Sequence, residues 1–76
     1  MAAPSVKLKG TIKTIKKAEG YGFITHEATG IDHFFHRTSI ERTSLIQFDD
    51  LEVAFPVEFT PIDGPKGPRA IEVRPV

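Results

Sequence analysis

No cysteine occurs among the 76 residues, and that absence limits what so short a chain can become. Disulfide scaffolds and thiolate zinc clips are both excluded. A domain of this size buries only about 60% of the surface its unfolded chain exposes, so it must close a thin core unaided, as a helical bundle or a small barrel. Three histidines, His26, His33 and His36, have no thiolate partner, and neither a metal nor any other cofactor is expected. The length allows one domain. No apolar run approaches the roughly 18 residues of a membrane span. Met1-Ala2-Ala3-Pro4-Ser5 lacks the charged and apolar regions of a signal peptide. The cytoplasm is the expected location, with residues 1–5 a flexible tail before a domain over residues 6–76.

Hydrophobic periodicity favours strands over helices. Val6, Leu8 and Ile12 alternate with Lys7, Lys9, Thr11 and Lys13, the pattern of a half-buried strand. Gly10 falls on the apolar register, where a bend or bulge is expected. Lys16 to Gly20 reads as a turn, Tyr21 to Thr25 as a second strand, His26 to Ile31 as a loop and Asp32 to His36 as a third strand. Arg37 to Asp50 holds turn formers, with Leu45, Phe48 and Leu51 spaced for one short helical turn. Leu51 to Phe59 places Val53, Phe55, Val57 and Phe59 on one register, interrupted by Pro56. Pro61 to Pro68 reads as a loop and Ala70 to Arg74 as the last strand. Five strands without a long helix predict an all-β fold, a five-stranded antiparallel Greek-key barrel of the OB type. An SH3-like barrel fits the strand count nearly as well.

The segment Gly20-Tyr21-Gly22-Phe23-Ile24 carries the chemistry. On a strand Tyr21, Phe23 and Thr25 share one face, and Gly22 and Ile24 the other. In the third strand Asp32, Phe34 and His36 share a face opposite His33 and Phe35. If the two strands pair, Tyr21, Phe23, Phe34 and His36 form one aromatic patch. A barrel this small cannot bury both faces, and the face with Thr25, Asp32 and His36 is the wetter. Every nucleobase has a π-face, so such a patch stacks bases with little regard to sequence. Net charge is zero, from 10 basic and 10 acidic residues, but the distribution is uneven. Lys7, Lys9, Lys13, Lys16 and Lys17 all precede the first acid, Glu19, whereas Glu41 to Asp63 is acidic. Lys13, Lys16 and Lys17 border the patch and supply charge for phosphates; Lys66 and Arg69 add more from the last loop.

Four segments together resemble the cold-shock domain: Gly10-Thr11-Ile12-Lys13; Gly20-Tyr21-Gly22-Phe23-Ile24; Asp32 through His36; and Gly64-Pro65-Lys66-Gly67-Pro68-Arg69-Ala70 with Val73. The similarity spans roughly residues 6–74. The resemblance implies an OB-type barrel that binds single-stranded RNA or DNA by stacking and acts as an RNA chaperone in transcription or translation. It places the family's stacking residues on Tyr21, Phe23, Phe34 and His36, its strand-one cation on Lys13 and a loop aromatic on Phe48. The chain also departs from the pattern. Thr14 stands where the family usually has tryptophan, Glu19 where it has lysine, and Arg37 where an aromatic is common. Arg37 is expected to compensate in part by stacking or by pairing with phosphate. Binding weaker than that of tryptophan-bearing members is expected.

Other classes fit less well. An RNA-recognition motif needs two amphipathic helices that this sequence lacks. Catalysis is not expected: His33 and His36 should face opposite sides of one strand, and no nucleophile is set beside Asp32 and His36. An SH3-like barrel gripping a peptide is the alternative function. A monomer is expected, with a dimer as the alternative should an edge strand be exposed.

Overall fold

The computed structural model describes residues 7–40 and 47–76. The tail, Val6 and the stretch holding Leu45 lie outside the described residues. Strand β1 spans Leu8–Lys16, β2 Tyr21–His26, β3 Asp32–His36, β4 Pro56–Gly64 and β5 Gly67–Pro75. Short 3-10 turns occupy Arg37–Ser39 and Phe48–Asp50. The strands close a barrel in the order β1-β2-β3-β5-β4, with β4 returning to β1. Among the described residues no helix is long and apolar enough to cross a membrane.

The barrel is all-β, as expected, but its sheet is mixed rather than purely antiparallel. β3 and β5 run parallel and meet at Phe34 and Arg69, while β1–β2, β2–β3, β1–β4 and β4–β5 are antiparallel. Arithmetic imposes this. Directions alternate around an antiparallel ring, and a ring of five strands cannot alternate throughout, so one seam must be parallel.

The core consists of Ile12, Ile24, Phe35, Phe48, Leu51, Val57, Phe59, Ala70 and Val73. Bulges decide which residues reach it. In β1 the irregularity falls between Ile12 and Thr14, not at Gly10. Gly10 instead lets two strands come close: a Cβ there would lie 2.9 Å from Ile24 Cγ2 and closer still to the Thr25 carbonyl oxygen. In β5, Glu72 has φ of 51°, and the alternation resumes at Val73, leaving Ile71 only half-buried. Such a bulge inserts one residue and re-aims the side chains that follow.

The last two strands also differ from their expected bounds. β4 starts at Pro56, because the chain turns at Val53 and Ala54, the latter with φ of 72°. Val53 is consequently exposed and Leu51 takes the core position. The supposed loop from Pro61 to Pro68 is mostly a hairpin, with Pro61 opposite Ala70 and Asp63 opposite Pro68. β1 pairs with β4 only as far as Phe59. Beyond it the described pairing of β4 is with β5 alone, so a proline can turn its missing donor to the unpaired edge.

Candidate nucleic-acid interface

The bulge at Lys13 aligns the outer faces of β1, β2, β3 and β5. Residues directly opposite in adjacent strands share a face, so the register builds rows across the sheet. One row runs Thr14, Phe23, Phe34, Arg69. The next runs Lys16, Tyr21, His36, and on the other side lies Thr11, Thr25, Asp32. Tyr21, Phe23, Phe34 and His36 are all half-buried. The three carbocyclic rings touch as one group: Tyr21–Phe34 centroids are 5.5 Å apart, Phe23–Phe34 5.7 Å and Tyr21–Phe23 6.3 Å. Each ring braces its neighbours and stays partly exposed.

Gly22 explains why these rings face out rather than in. It lies on the inward register of β2, opposite Phe35, and a Cβ there would sit 2.8 Å from Phe35 Cε1 and 2.5 Å from the Thr14 carbonyl oxygen. Phe35 fills the space that a side chain at position 22 would need. The inward side is thereby complete, with Ile24 and Phe35 fully buried, and the other aromatics have only the outer face to occupy.

His36 is oriented by its own turn. Its Nδ1 accepts a hydrogen bond from the Thr38 amide at 3.3 Å and lies 3.1 Å from the Thr38 hydroxyl. With Nδ1 accepting, the neutral ring carries its proton on Nε2. His33 points inward, 6% exposed, against Phe59 at 5.0 Å between centroids. The two histidines thus face opposite sides of β3, and among the described residues no group of three metal-ligating side chains comes together.

Beside the rings, Phe23 and Phe34 join Pro65, Lys66, Gly67, Pro68 and Arg69 to line a cleft of about 520 Å³. The Arg69 guanidinium lies over Phe34, with Cζ 5.4 Å from the ring centroid. The sequence offered Lys66 and Arg69 only as charges in a loop. The hairpin that carries them forms the cleft wall, and the prolines are part of that wall.

The sequence of residues 8–76 matches the family described as the 'Cold-shock' DNA-binding domain. The chain belongs to the cold-shock domain family. It is similar to a "Cold shock-like protein" of Aquifex aeolicus, with 42% identity over 69 residues, covering 91% of this chain and 94% of the relative. It is 40% identical over 65 residues to "Cold shock-like protein CspA" of Bordetella pertussis, covering 86% and 92% of the two chains. "Cold shock-like protein CspC" of Buchnera aphidicola is 39% identical over 67 residues, covering 88% and 93%. Nucleic-acid binding is the activity that characterises this family.

One position of this cold-shock domain differs from the expected arrangement, and Lys13 carries a partner of its own. Phe48 is not an exposed stacking residue: it is 7% exposed and packs on Phe35 at 5.9 Å between centroids. The 3-10 turn that starts at Phe48 folds the ring inward, and Arg37 covers it with Cζ 5.9 Å from its centroid. Lys13 is exposed, but it is held in an ion pair with Asp32 at 2.8 Å. Asp32 also accepts from the Thr25 hydroxyl at 2.8 Å. These hydrogen bonds, that from Lys13 first and from Thr25 second, hold the Asp32 carboxyl below its ordinary value of 3.8.

The pair has a consequence for binding. With Lys13 expected to serve phosphates, an ionised Asp32 would compete with them for it, and it adds a negative charge at the rim of the rings. Asp32→Asn should therefore tighten oligonucleotide binding a few-fold at neutral pH. It should also steepen the dependence of log K on log salt by up to about one phosphate contact, a slope change of roughly 0.7 for a single strand. A salt titration of both proteins checks this; an unchanged slope would show that Lys13 does not reach the phosphates. In wild type the same release should need acid, because the hydrogen bonds from Lys13 and Thr25 hold the Asp32 carboxyl below its ordinary value and keep it charged at neutral pH.

Proposed function

We propose that this cold-shock domain binds single-stranded RNA or DNA by stacking bases on Tyr21, Phe23, Phe34 and His36. Lys16, Lys17 and Lys66 follow the phosphates, with Arg69 at the cleft. The observation that carries this reading is the pair of adjacent rows, in which three touching rings share one outer face with histidine, lysine and arginine. A core function for those rings is unnecessary, since the inward register of the same strands is filled by Ile24 and Phe35.

The mechanism is passive. A base stacked on a ring is unavailable for pairing, so duplex regions of the ligand melt by mass action without ATP. That is the action of an RNA chaperone in transcription or translation. Stacking is tolerant of sequence, which suits a protein that keeps many transcripts single-stranded. Thr14 occupies the outer row beside Phe23 and offers no ring there, so one stacking surface fewer is available than in a tryptophan-bearing relative.

Fluorescence anisotropy of a labelled pyrimidine-rich heptanucleotide against wild type and Phe34→Ala tests the reading. Saturable binding that weakens by about 5- to 150-fold in the variant is expected, as the loss of one stack worth ~1–3 kcal/mol requires. Tyr21 emission should be quenched by the oligonucleotide and not by a proline-rich peptide. Binding indifferent to the substitution, or quenching by the peptide alone, would move the peptide-binding alternative ahead.

A further inference from the structure

We propose that Arg69 is the second jaw of a clamp, closing over a base that stacks on Phe34. This rests on the proposed single-strand binding and adds to it a contact on the far face of one base. The charge pattern of the sequence offered Arg69 only as a phosphate contact from a loop.

The backbone sets the two jaws opposite each other, since Phe34 and Arg69 are the residues at which β3 and β5 meet in register. The Arg69 stem passes over Gly64, where a Cβ would lie 2.6 Å from Cδ and 3.1 Å from Cγ. A side chain at position 64 would push the stem aside. The guanidinium ends over Phe34, with Cζ 5.4 Å from the ring centroid. Among the described residues no carboxylate forms an ion pair with Arg69.

That contact stands where a base would go. Three groups surround the Phe34 ring: Tyr21 at 5.5 Å and Phe23 at 5.7 Å between centroids, and the Arg69 guanidinium. Tyr21 and Phe23 are rings on the neighbouring strand and are platforms themselves. Arg69 reaches the ring on an unbranched stem of methylenes. A base that takes the face of Phe34 under the guanidinium must therefore displace Arg69. Carbon layers pack about 3.5–4.0 Å apart. A base between ring and cation thus needs about 7–8 Å, and Cζ retreats from its 5.4 Å by about 2 Å or more. Room lies alongside, in the cleft of about 520 Å³ that Phe34 shares with Pro65 and Pro68. That volume is in the range of small-molecule sites.

The chemistry favours a retreat by one layer over a departure. A guanidinium is planar, weakly hydrated and stacks on π-faces, and unpaired bases stack on arginine planes as well as on aromatic rings. Arg69 exchanges the face of Phe34 for the face of the base and keeps its charge beside the strand. An exposed cation–π contact is weaker than a base–aromatic stack, so the contact in the free protein does not bar the base. Lys66, exposed in the same cleft wall, serves the phosphates there.

The test uses a thymidine heptanucleotide, intact and with one abasic site at each position in turn, which removes a base and keeps the phosphates. Each is titrated against wild type, Arg69→Lys, Phe34→Ala and the double variant. Arg69→Lys keeps the charge and loses the plane. It should bind the intact strand about 2- to 5-fold more weakly, the scale of an exposed cation–π contact, with the salt slope of wild type. That loss should vanish at one abasic position and persist at the others. It should vanish also in the Phe34→Ala background. Equal affinity of wild type and Arg69→Lys for the intact strand would overturn the clamp and leave Arg69 a phosphate contact. So would a loss that persists at every abasic position, or one that Phe34→Ala does not reduce. Those results spare the stacking reading. Failure of the intact strand to bind at low salt, or binding indifferent to Phe34→Ala, would instead overturn the stacking reading and the clamp with it.

Discussion

Phe35→Ala should cost about 3–5 kcal/mol of folding stability, the range for truncating a buried aromatic, and leave much of the protein unfolded. Native domains hold roughly 0.05–0.15 kcal/mol per residue, which for a chain of this length is about 4–11 kcal/mol in all. One core ring is therefore a large share of the total. The site is poor at relaxing. Phe35 is fully buried, and its ring covers Gly22, which has no side chain to move into the space. On the other side stands Phe48, itself pinned under Arg37. The cavity would persist, and a persistent cavity is what raises the cost of a truncation. Urea denaturation of both proteins, followed by far-ultraviolet circular dichroism, gives the number. A loss within about 0.5 kcal/mol, which is what a surface substitution typically costs, would mean that Phe35 is not the centre of the core.

The same strands show what sequence periodicity can and cannot convey. The patch was legible because β2 and β3 are short, regular and bulge-free. Alternation alone sorts Tyr21, Phe23, Phe34 and His36 from Gly22, Ile24, His33 and Phe35, and antiparallel pairing then sets Phe23 opposite Phe34. Where the backbone leaves strict alternation, the reading failed in step with it. The bulge after Ile12 and the left-handed Glu72 shift which residues face inward, and neither residue type announces a bulge. Phe48 sits in a 3-10 turn, where no period of two or 3.6 assigns a face, so its burial could not be inferred from spacing. The proline-marked stretch from Pro61 to Pro68 resembled a loop because proline removes a ladder donor. Prolines are nonetheless accommodated where one side of a strand is unpaired. The Lys13–Asp32 pair joins residues 19 apart in the chain. Sequence placed both near the patch, but only the bulged register brings their charges into contact.

Phe34 and Phe35 are neighbours in one strand with opposite fates, and the second large effect follows from that contrast. The double substitution Phe23→Ala and Phe34→Ala should lower oligonucleotide affinity by about 10- to 10,000-fold while leaving the fold standing. Two stacks at ~1–3 kcal/mol each set the scale. The two rings are directly opposite across β2 and β3, with centroids 5.7 Å apart, so they brace one another and their contributions should not be independent. Phe34→Ala alone removes a platform and also frees Phe23 and Arg69 from their contacts with it. Once that is done, removing Phe23 should cost less than it does in wild type. The double-mutant cycle should accordingly fall short of additivity by about 0.5 kcal/mol or more, as expected of residues in contact. Stability should fall much less than in Phe35→Ala, because both rings are only half-buried and their loss opens the outer face to water rather than leaving a void. Anisotropy titrations of the two single variants and the double, paired with urea denaturation of each, measure both quantities on the same samples. Collapse of stability to the level of Phe35→Ala would place these rings in the core. Retention of wild-type affinity in the double variant would remove them from the binding surface. The predicted pattern, strong loss of binding with a standing fold, is what a surface built on the outer face of two alternating strands must produce.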